Sequence, residues 1–138
     1  MINSNEPTLA NPDLELNNWE ALRAFAYGLG LPNVEDAVSW GQPNLKAHGK
    51  MWVWWNAGEN AAVFKTSFEE RDFLLEMDAD TFFVTPHYRN WPLILARADR
   101  LDPAWIAANL RRVWRAQAKK TFLKKWDESH RDDPSTCL

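Results

Sequence analysis

The residue types that most often catalyse reactions or bind metals are few in this chain, and their spacing suits neither task. The three histidines, His48, His87 and His130, fall in a predicted tight turn, a loop and a polar tail. Their spacing matches no metal-ligand pattern. The sequence also lacks a nucleophile elbow, a P-loop and a dinucleotide-binding glycine motif. We therefore expect no catalytic site, no metal, no cofactor and no enzymatic activity.

One loop concentrates polar groups that could bind a ligand. Residues 87–90 place an imidazole, a phenol, a guanidinium and an amide between two predicted strands. Because no nucleophile or metal ligand lies near them in sequence, binding is a better hypothesis for this loop than catalysis. A small-ligand site over residues 87–91 is therefore one open interpretation, beside an ordinary connecting loop.

The charge of the chain is unevenly distributed. The net charge is −3, but residues 1–96 hold 6 basic and 13 acidic residues, residues 97–126 hold 9 and 2, and residues 127–138 hold 1 and 4. At about 100° per residue, the basic segment forms a helix with one cationic side and one mainly apolar side. The cationic side carries Arg111, Arg112, Arg115 and Lys119, and the apolar side carries Ile106, Leu110, Val113, Trp114 and Gln117.

This cationic side favours nucleic-acid binding. Lysine and arginine attract phosphates, and surplus aromatic rings can stack on bases. Because the rest of the chain is acidic, binding would use one side only and would weaken with salt. The expected contacts are Arg111, Arg112, Arg115, Lys119 and Lys120 on the helix, and Lys46, Lys50, Arg89 and Trp91 on the hairpin side. DNA is thus an expected partner, bound weakly and with little sequence preference.

Periodicity and cap residues predict three helices. Apolar residues at three- and four-residue steps indicate a helix from about residue 12 to residue 29, opened by a cap and proline at 11–13. The sequence SFEE at 67–70 is a capping box and predicts a short helix over 68–77. A second cap and proline predict a long final helix that starts at residue 102 and continues, still basic, to residue 126.

Short apolar runs between turn residues predict an antiparallel meander. The turns are residues 41–43, the two-residue turn at His48 and Gly49, and a longer loop at 56–60. Strands are predicted near residues 34–40, 44–47, 50–55, 61–65, 81–85 and 91–96.

The chain contains nine tryptophans, more than a small core requires. The strand at residues 51–55 is apolar on both faces, which suits a central strand or one whose second face meets a partner. A competing hypothesis is therefore a protein-interaction module, in which Trp52, Trp54 and Trp55 bind another protein or a second copy. The chain would then be a dimer, and otherwise a monomer.

Length and composition predict a single domain. With 138 residues and 46% apolar residues, the chain can bury one core. We expect a loose lead-in over residues 1–11, a folded domain over 12–126 and an acidic polar tail over 127–138. No apolar run suits a membrane span, the start lacks signal-peptide features, and Cys137 is the single cysteine. The expected compartment is the cytoplasm, without a membrane partner.

Several short motifs resemble those of the MmcQ/YjbR-like family of small bacterial proteins. They are LPNVE at residues 31–35, SWGQPNLK at 39–46, GKMW at 49–52, VFK at 63–65, RNW at 89–91 and AKK at 118–120. The resemblance covers roughly residues 14–125. It implies an α+β single domain in which helices flank a twisted antiparallel sheet, similar to frataxin-like and secretion-chaperone-like folds.

The same resemblance implies a role for particular residues. Family members are described as double-wing DNA-binding proteins, which implies DNA-binding or regulatory function. The family positions that hold the expected residue types are Trp40, Gly41, Pro43, Lys46, Gly49, Lys50 and Trp91. Gln42 departs from the pattern, since histidine is usual after the glycine. Lys46 and Lys50 flank one hairpin turn, so we expect them to point at phosphate together.

Overall fold

A computed structural model describes residues 15–130, and this part of the chain forms four α-helices and six β-strands. The helices are α1 (Trp19–Gly28), α2 (Phe68–Met77), α3 (Pro103–Gln117) and α4 (Lys120–Ser129). The strands are β1 (Val34–Ser39), β2 (Gln42–Ala47), β3 (Lys50–Asn56), β4 (Ala61–Lys65), β5 (Phe82–Phe83) and β6 (Leu93–Arg97). Single 3-10 turns form at Pro86–Tyr88 and Ala98–Arg100.

The six strands form one antiparallel sheet in the order β1-β2-β3-β4-β6-β5. The first four strands are a meander, and β6 inserts between β4 and the short strand β5. Short turns join the first four strands, whereas the connection from β4 to β5 contains α2 and leaves the position beside β4 to β6. The α+β class, a single domain with an antiparallel sheet flanked by helices, is confirmed.

The main core lies between the sheet and the helices. Buried residues of α1 and α3 pack against alternate positions of β2, β3 and β4. Two large indoles in this core satisfy their N–H groups: Trp52 donates to the Leu110 carbonyl at 3.0 Å, and Trp114 donates to the Pro32 carbonyl at 2.8 Å. A buried ring can therefore stabilise the core without leaving a polar atom unpaired.

Strand β3 is central, and its tryptophans are mostly internal. Trp52 is 0% exposed and Trp55 is 7% exposed, both in the main core. Residues three apart would normally face opposite ways, but a register shift opposite Leu45 and Lys46 turns both rings to the helical side. Trp54 packs on a smaller apolar cluster on the other face. The hypothesis of a partner-binding face built from Trp52, Trp54 and Trp55 is therefore wrong.

Two tight turns set the register of the meander. Trp40 and Gly41 have φ values of 57° and 77°, and His48 and Gly49 have φ values of 55° and 81°. Two successive positive φ values define the type I′ turn, whose twist matches the flanking strands. The predicted turn at His48 is confirmed. The predicted break at 41–43 is wrong, because the turn uses Trp40 and Gly41 and β2 already begins at the next residue.

The boundaries of one helix and one strand differ from the predictions. α1 begins at Trp19, where the Asn18 side chain accepts a hydrogen bond from the Ala21 N–H at 2.8 Å. The cap predicted at 11–13 lies outside the described residues, as does the lead-in over 1–11. The second-last predicted strand, 81–85, shortens to β5.

The predicted single helix to residue 126 is also wrong. The chain becomes extended at Ala118, with a ψ of 151°, and α4 turns back so that Phe122 and Trp126 pack on Trp114. Burial of these aromatic rings favours the break, although neither glycine nor proline is present to signal it. Of the predicted tail over 127–138, residues 127–129 continue α4, and residues 131–138 lie outside the described part.

Candidate nucleic-acid interface

The arginines of α3 are largely engaged with carboxylates. Arg112 donates to both oxygens of Glu70 on α2, at 2.9 and 3.1 Å. Arg115 forms a two-point contact with Asp127 on α4, at 2.8 and 2.9 Å. Hydrogen bonds from Arg115 lower the pKa of the Asp127 carboxyl, and the same contact raises the pKa of the guanidinium. These two arginines face different helices and are already neutralised.

Arg111 is half-buried on the same helix. Its Nε is enclosed, and no residue in the described chain accepts a hydrogen bond from it. Arg111, Arg112 and Arg115 therefore do not form the single exposed cationic side that the helical angles predict.

The strand registers bring several other predicted residues to one end of the sheet. Lys50 begins β3 directly after a tight turn, and Lys65 ends the neighbouring strand β4. Lys65 lies opposite Leu93, and the Thr66 N–H donates to the Pro92 carbonyl at 3.0 Å. The segment that leads into β6 therefore reaches the same end. We call this region the hairpin end, defined by residues 47–50, 65–66 and 89–92.

Gln117, the last residue of α3, joins the helix to the hairpin end. Its Oε1 accepts a hydrogen bond from Lys65 Nζ at 2.8 Å. Its Nε2 donates to the carbonyl oxygens of Ala47 at 2.8 Å and Lys50 at 3.3 Å. One side-chain amide thus contacts the ends of three strands. It fixes where the two lysines lie relative to α3.

Two more lysines follow Gln117 in the chain after one intervening alanine. Lys119 and Lys120 are exposed and lie within a few residues of the amide, so they extend the same cationic region. Lys119 is the N-cap of α4, but no side chain caps this helix and its first turn contains no acidic residue. Cations at a helix N-terminus are unfavourable, and a nearby anion relieves that repulsion.

We call Lys50, Lys65, Lys119 and Lys120 the lysine site. None of the four forms an ion pair with a carboxylate of residues 15–130. Burial lowers the pKa of the Lys65 ammonium, and the nearby Lys50 charge lowers it further. A like charge that lowers the pKa of a neighbouring ammonium marks a region of positive potential. Such a region attracts anions.

The loop before β6 places two further predicted residues at the hairpin end. Arg71 on α2 donates from Nη1 to the carbonyl oxygens of Arg89 at 2.8 Å and Trp91 at 3.0 Å. The Trp91 side chain is 60% exposed, and Arg89 is exposed too. A fixed backbone with an exposed indole provides a stacking surface beside the cations. His87 packs instead against the ring of Tyr88.

Lys46 is separated from the lysine site. Its Cα lies opposite Glu35 on β1 and Met51 on β3. Because neighbouring residues of a strand alternate between faces, Lys46 lies on the face of Met51, and Lys50 lies on the other face. The expectation that Lys46 and Lys50 point at phosphate together is therefore wrong.

Sequence reasoning missed Gln117 and Lys65 as members of the site. A signal for Gln117 existed, because it is the polar residue among the apolar positions of the last long helix. A polar side chain on a buried face needs hydrogen-bond partners, which here come from three strands. Lys65 ends a buried strand and gives no comparable signal.

Family comparison agrees with the fold. The YjbR family profile matches residues 29–116, which is 88 of the 138 residues. The chain belongs to the YjbR family. The resemblance read from the motifs is thus confirmed. No curated protein and no solved structure matches the chain.

The YjbR match divides the lysine site. It includes Lys50 and Lys65, but it ends just before Gln117, Lys119 and Lys120. The hairpin end is thus part of the YjbR region, whereas the start of α4 lies beyond it. Two of the four lysines therefore lie outside the matched residues.

Other chemistry is sparse in the described chain. No cluster of three or more histidine, cysteine, aspartate or glutamate side chains within residues 15–130 could hold a metal ion. No helix there is long and apolar enough to cross a membrane.

A cavity of about 210 Å³ lies at the opposite end of the sheet, between α2 and the start of α3. Its lining includes Leu74 and Ile106 together with Asp78, Arg100 and Asp102. Carboxylates and a guanidinium occur together there, so the cavity has no preference for anions.

Proposed function

We propose that this YjbR protein binds DNA through the phosphate backbone at the lysine site, without catalysing a reaction. The observation that supports the proposal is the arrangement of four lysines around Gln117 with no carboxylate partner in the described chain. In a chain of net charge −3, these lysines concentrate positive charge at one end of the sheet. This charge makes that end of the molecule attractive to phosphate.

The number of lysines sets the expected strength and salt dependence. Each phosphate neutralised on duplex DNA contributes about −0.9 to the slope of log affinity against log salt. Four contacts from the lysine site therefore predict a slope of about −3.6. The acidic remainder of the molecule repels DNA and orients it towards the hairpin end.

Binding by this surface has little base specificity. Arg112 and Arg115 are committed to carboxylates, so they are poor candidates for bidentate contacts to guanine. Lysines contact phosphate as point charges and carry no sequence information. Trp91 adds a stacking surface that accepts any exposed base.

The proposal is tested by titrating a labelled duplex with the full chain and recording fluorescence anisotropy at several salt concentrations. The double variant Lys119→Gln/Lys120→Gln removes two phosphate contacts. Its salt slope should become shallower by about 1.8 than that of the unmodified protein, and affinity at low salt should fall.

A matched control removes the same charge elsewhere. Arg97→Gln/Arg100→Gln changes two exposed cations at the end of the sheet opposite the lysine site. This variant should keep the full salt slope and nearly the full affinity. Equal losses in both double variants would show that only net charge matters, and absence of binding at low salt would contradict the proposal outright.

A further inference from the structure

The outer edge of β1 is open in the described structure. Among the strands of residues 15–130, β1 pairs only with β2, so half of its backbone N–H and C=O groups have no strand partner. β1 is six residues long and contains neither proline nor lysine. The other sheet edge, β5, has only two residues. Proteins usually protect open edges by shortening them or charging them, and β1 has only partial protection.

Two apolar side chains are exposed along this edge. Val38 is 73% exposed, and Trp40, in the turn that joins β1 to β2, is 95% exposed. Trp40 also adopts a φ of 57°, in a turn position that asparagine and glycine occupy far more readily. The positive φ serves the turn, but the exposed indole adds nothing to the stability of the isolated fold. An exposed aromatic ring of this kind marks a surface that a partner can cover.

The charge on the edge is smaller than the sequence of β1 indicates. Arg23 donates to both carboxylate oxygens of Asp36, at 2.7 and 2.6 Å, and the Tyr27 hydroxyl donates to the same carboxylate at 3.2 Å. These contacts hold the pKa of Asp36 below its usual range. Glu35 is then the one carboxylate of β1 without an ion pair in the described chain.

We infer that two copies of this chain associate through β1, pairing antiparallel so that one sheet runs through both. The favoured register places Ala37 opposite Ala37 of the second copy. Val34 then faces Trp40 of that copy, and Glu35 faces the hydroxyl of its Ser39. In this register Asp36 lies opposite Val38 rather than opposite a second carboxylate.

The register also separates the remaining charges. The two Glu35 side chains lie four residues apart along the paired strands, which is roughly 13 Å. This exceeds the screening length of about 8 Å at physiological salt, so their repulsion is weak. A register shifted by two residues would set Asp36 against Asp36 and is disfavoured.

The backbone is compatible with this pairing. The two-residue turn makes Ser39 and Gln42 a hydrogen-bonded pair, so alternate residues point their N–H and C=O groups away from β2. Those residues include Asp36 and Val38. In the favoured register they lie opposite each other in two symmetric pairs, and each pair exchanges two hydrogen bonds.

A second copy fits this edge better than a nucleic acid does. The Glu35 carboxylate repels phosphate. The exposed Trp40 lies at the end of the sheet away from the lysine site. An apolar edge with one isolated charge therefore complements itself.

The association is tested by sedimentation velocity and light scattering on the full chain over a wide concentration range. The unmodified protein should show a concentration-dependent dimer mass. Trp40→Asn keeps a residue suited to the turn but removes the ring, and should weaken dimerisation by about tenfold or more. Trp91→Asn, which removes the exposed tryptophan at the hairpin end, should leave the dimer unchanged.

A second variant and a second readout distinguish loss of the dimer from loss of folding. Val38→Lys places a charge on an exposed position of the edge and should also give monomers. Hydrogen exchange should show the Asp36 and Val38 amides protected in the dimer and unprotected in Trp40→Asn, with Ala37 protected in both. A monomeric mass at all concentrations would overturn the inference, as would a dimer that survives both edge variants. Trp40→Asn could instead abolish DNA binding while the unmodified protein remains monomeric. In that case the turn between β1 and β2 contacts nucleic acid, and the inference of a dimer also fails.

Discussion

At the scale of single residues, Gln117 connects stability to the lysine site. Replacing it with alanine removes the acceptor of the half-buried Lys65 ammonium and the donor to two strand-end carbonyls. We expect Gln117→Ala to lower the free energy of unfolding by about 1–3 kcal/mol, because the ammonium is left without a partner. Urea denaturation followed by tryptophan fluorescence measures this loss.

Gln117→Glu separates the two roles. A carboxylate restores the acceptor for Lys65 and should recover part of the stability, but it introduces a negative charge into the lysine site. DNA affinity should therefore fall below that of Gln117→Ala. If affinity instead follows stability across the two variants, Gln117 acts on the fold and not on the charge of the site.

His48 gives the fold a pH dependence. Burial lowers the pKa of the His48 imidazole, a hydrogen bond with the Trp114 backbone opposes part of this effect, and the Lys50 charge adds a smaller lowering. The ring packs between Trp114 and Phe122. Because the folded-state pKa lies below the unfolded value near 6.5, the unfolded chain binds this proton first. The free energy of unfolding should therefore be highest above pH 6.5 and fall as the pH decreases through the folded-state pKa.

The variant His48→Asn tests this assignment, because asparagine suits the positive φ of the turn but does not titrate near neutrality. Its free energy of unfolding should be lower at neutral pH, since ring packing is lost, but should change less on acidification. Urea denaturation at a series of pH values compares the two proteins. An identical pH slope in both would assign the effect to another group.

At the scale of elements, α4 is held to the rest of the molecule by aromatic contacts. Phe122 and Trp126 both pack on Trp114, and Trp126 stacks on His130 at a ring distance of 3.6 Å. The side chains of α4 are exposed or half-buried, so this helix depends on few contacts. Low local stability is the consequence.

Phe122→Ala should lower the local stability of α4 more than that of the sheet. Removing a half-buried ring should cost about 2 kcal/mol, less than the 3–5 kcal/mol of a fully buried one. Native-state hydrogen exchange should show faster exchange in α4, with little change in β3 and β4. Uniform acceleration throughout the chain would contradict a separately unfolding helix.

The elements that sequence predicts well are those with local signals. The tight turn at His48 and the capped start of α3 follow from residue chemistry over a few positions, and both are confirmed. The break at Ala118 carries no such signal, because it results from aromatic packing between α3 and α4. Local propensity cannot report a preference that arises from tertiary contacts.

The candidate site was predicted less completely for the same reason. The positive charge of α3 follows from helical angles, but Arg112 is neutralised by Glu70, 42 residues away in sequence. Lys65 and Lys50 lie near each other only because two strands end at the same place. Contacts of high sequence separation decide which cations are free, and composition does not contain that information.

At the scale of the whole molecule, pairing through β1 would bring two lysine sites to one surface. Antiparallel pairing of identical edges places the two-fold axis perpendicular to the sheet, so both helical layers lie on the same side. With strands about 4.8 Å apart and a rise of about 3.4 Å per residue, Lys50 lies roughly 15 Å from the axis. The two sites are then roughly 30 Å apart, which corresponds to about nine base pairs.

This spacing predicts that DNA length reveals the dimer. A long duplex can contact both sites and should show a salt slope about twice that of a duplex of about eight base pairs, which reaches one site. Trp40→Asn should reduce the slope on the long duplex to the value for the short one and leave the short-duplex slope unchanged. Anisotropy titrations of both duplexes with both proteins measure all four slopes. If the slope on the long duplex is the same with and without Trp40, the two lysine sites do not bind one DNA together, even if each of them binds DNA separately.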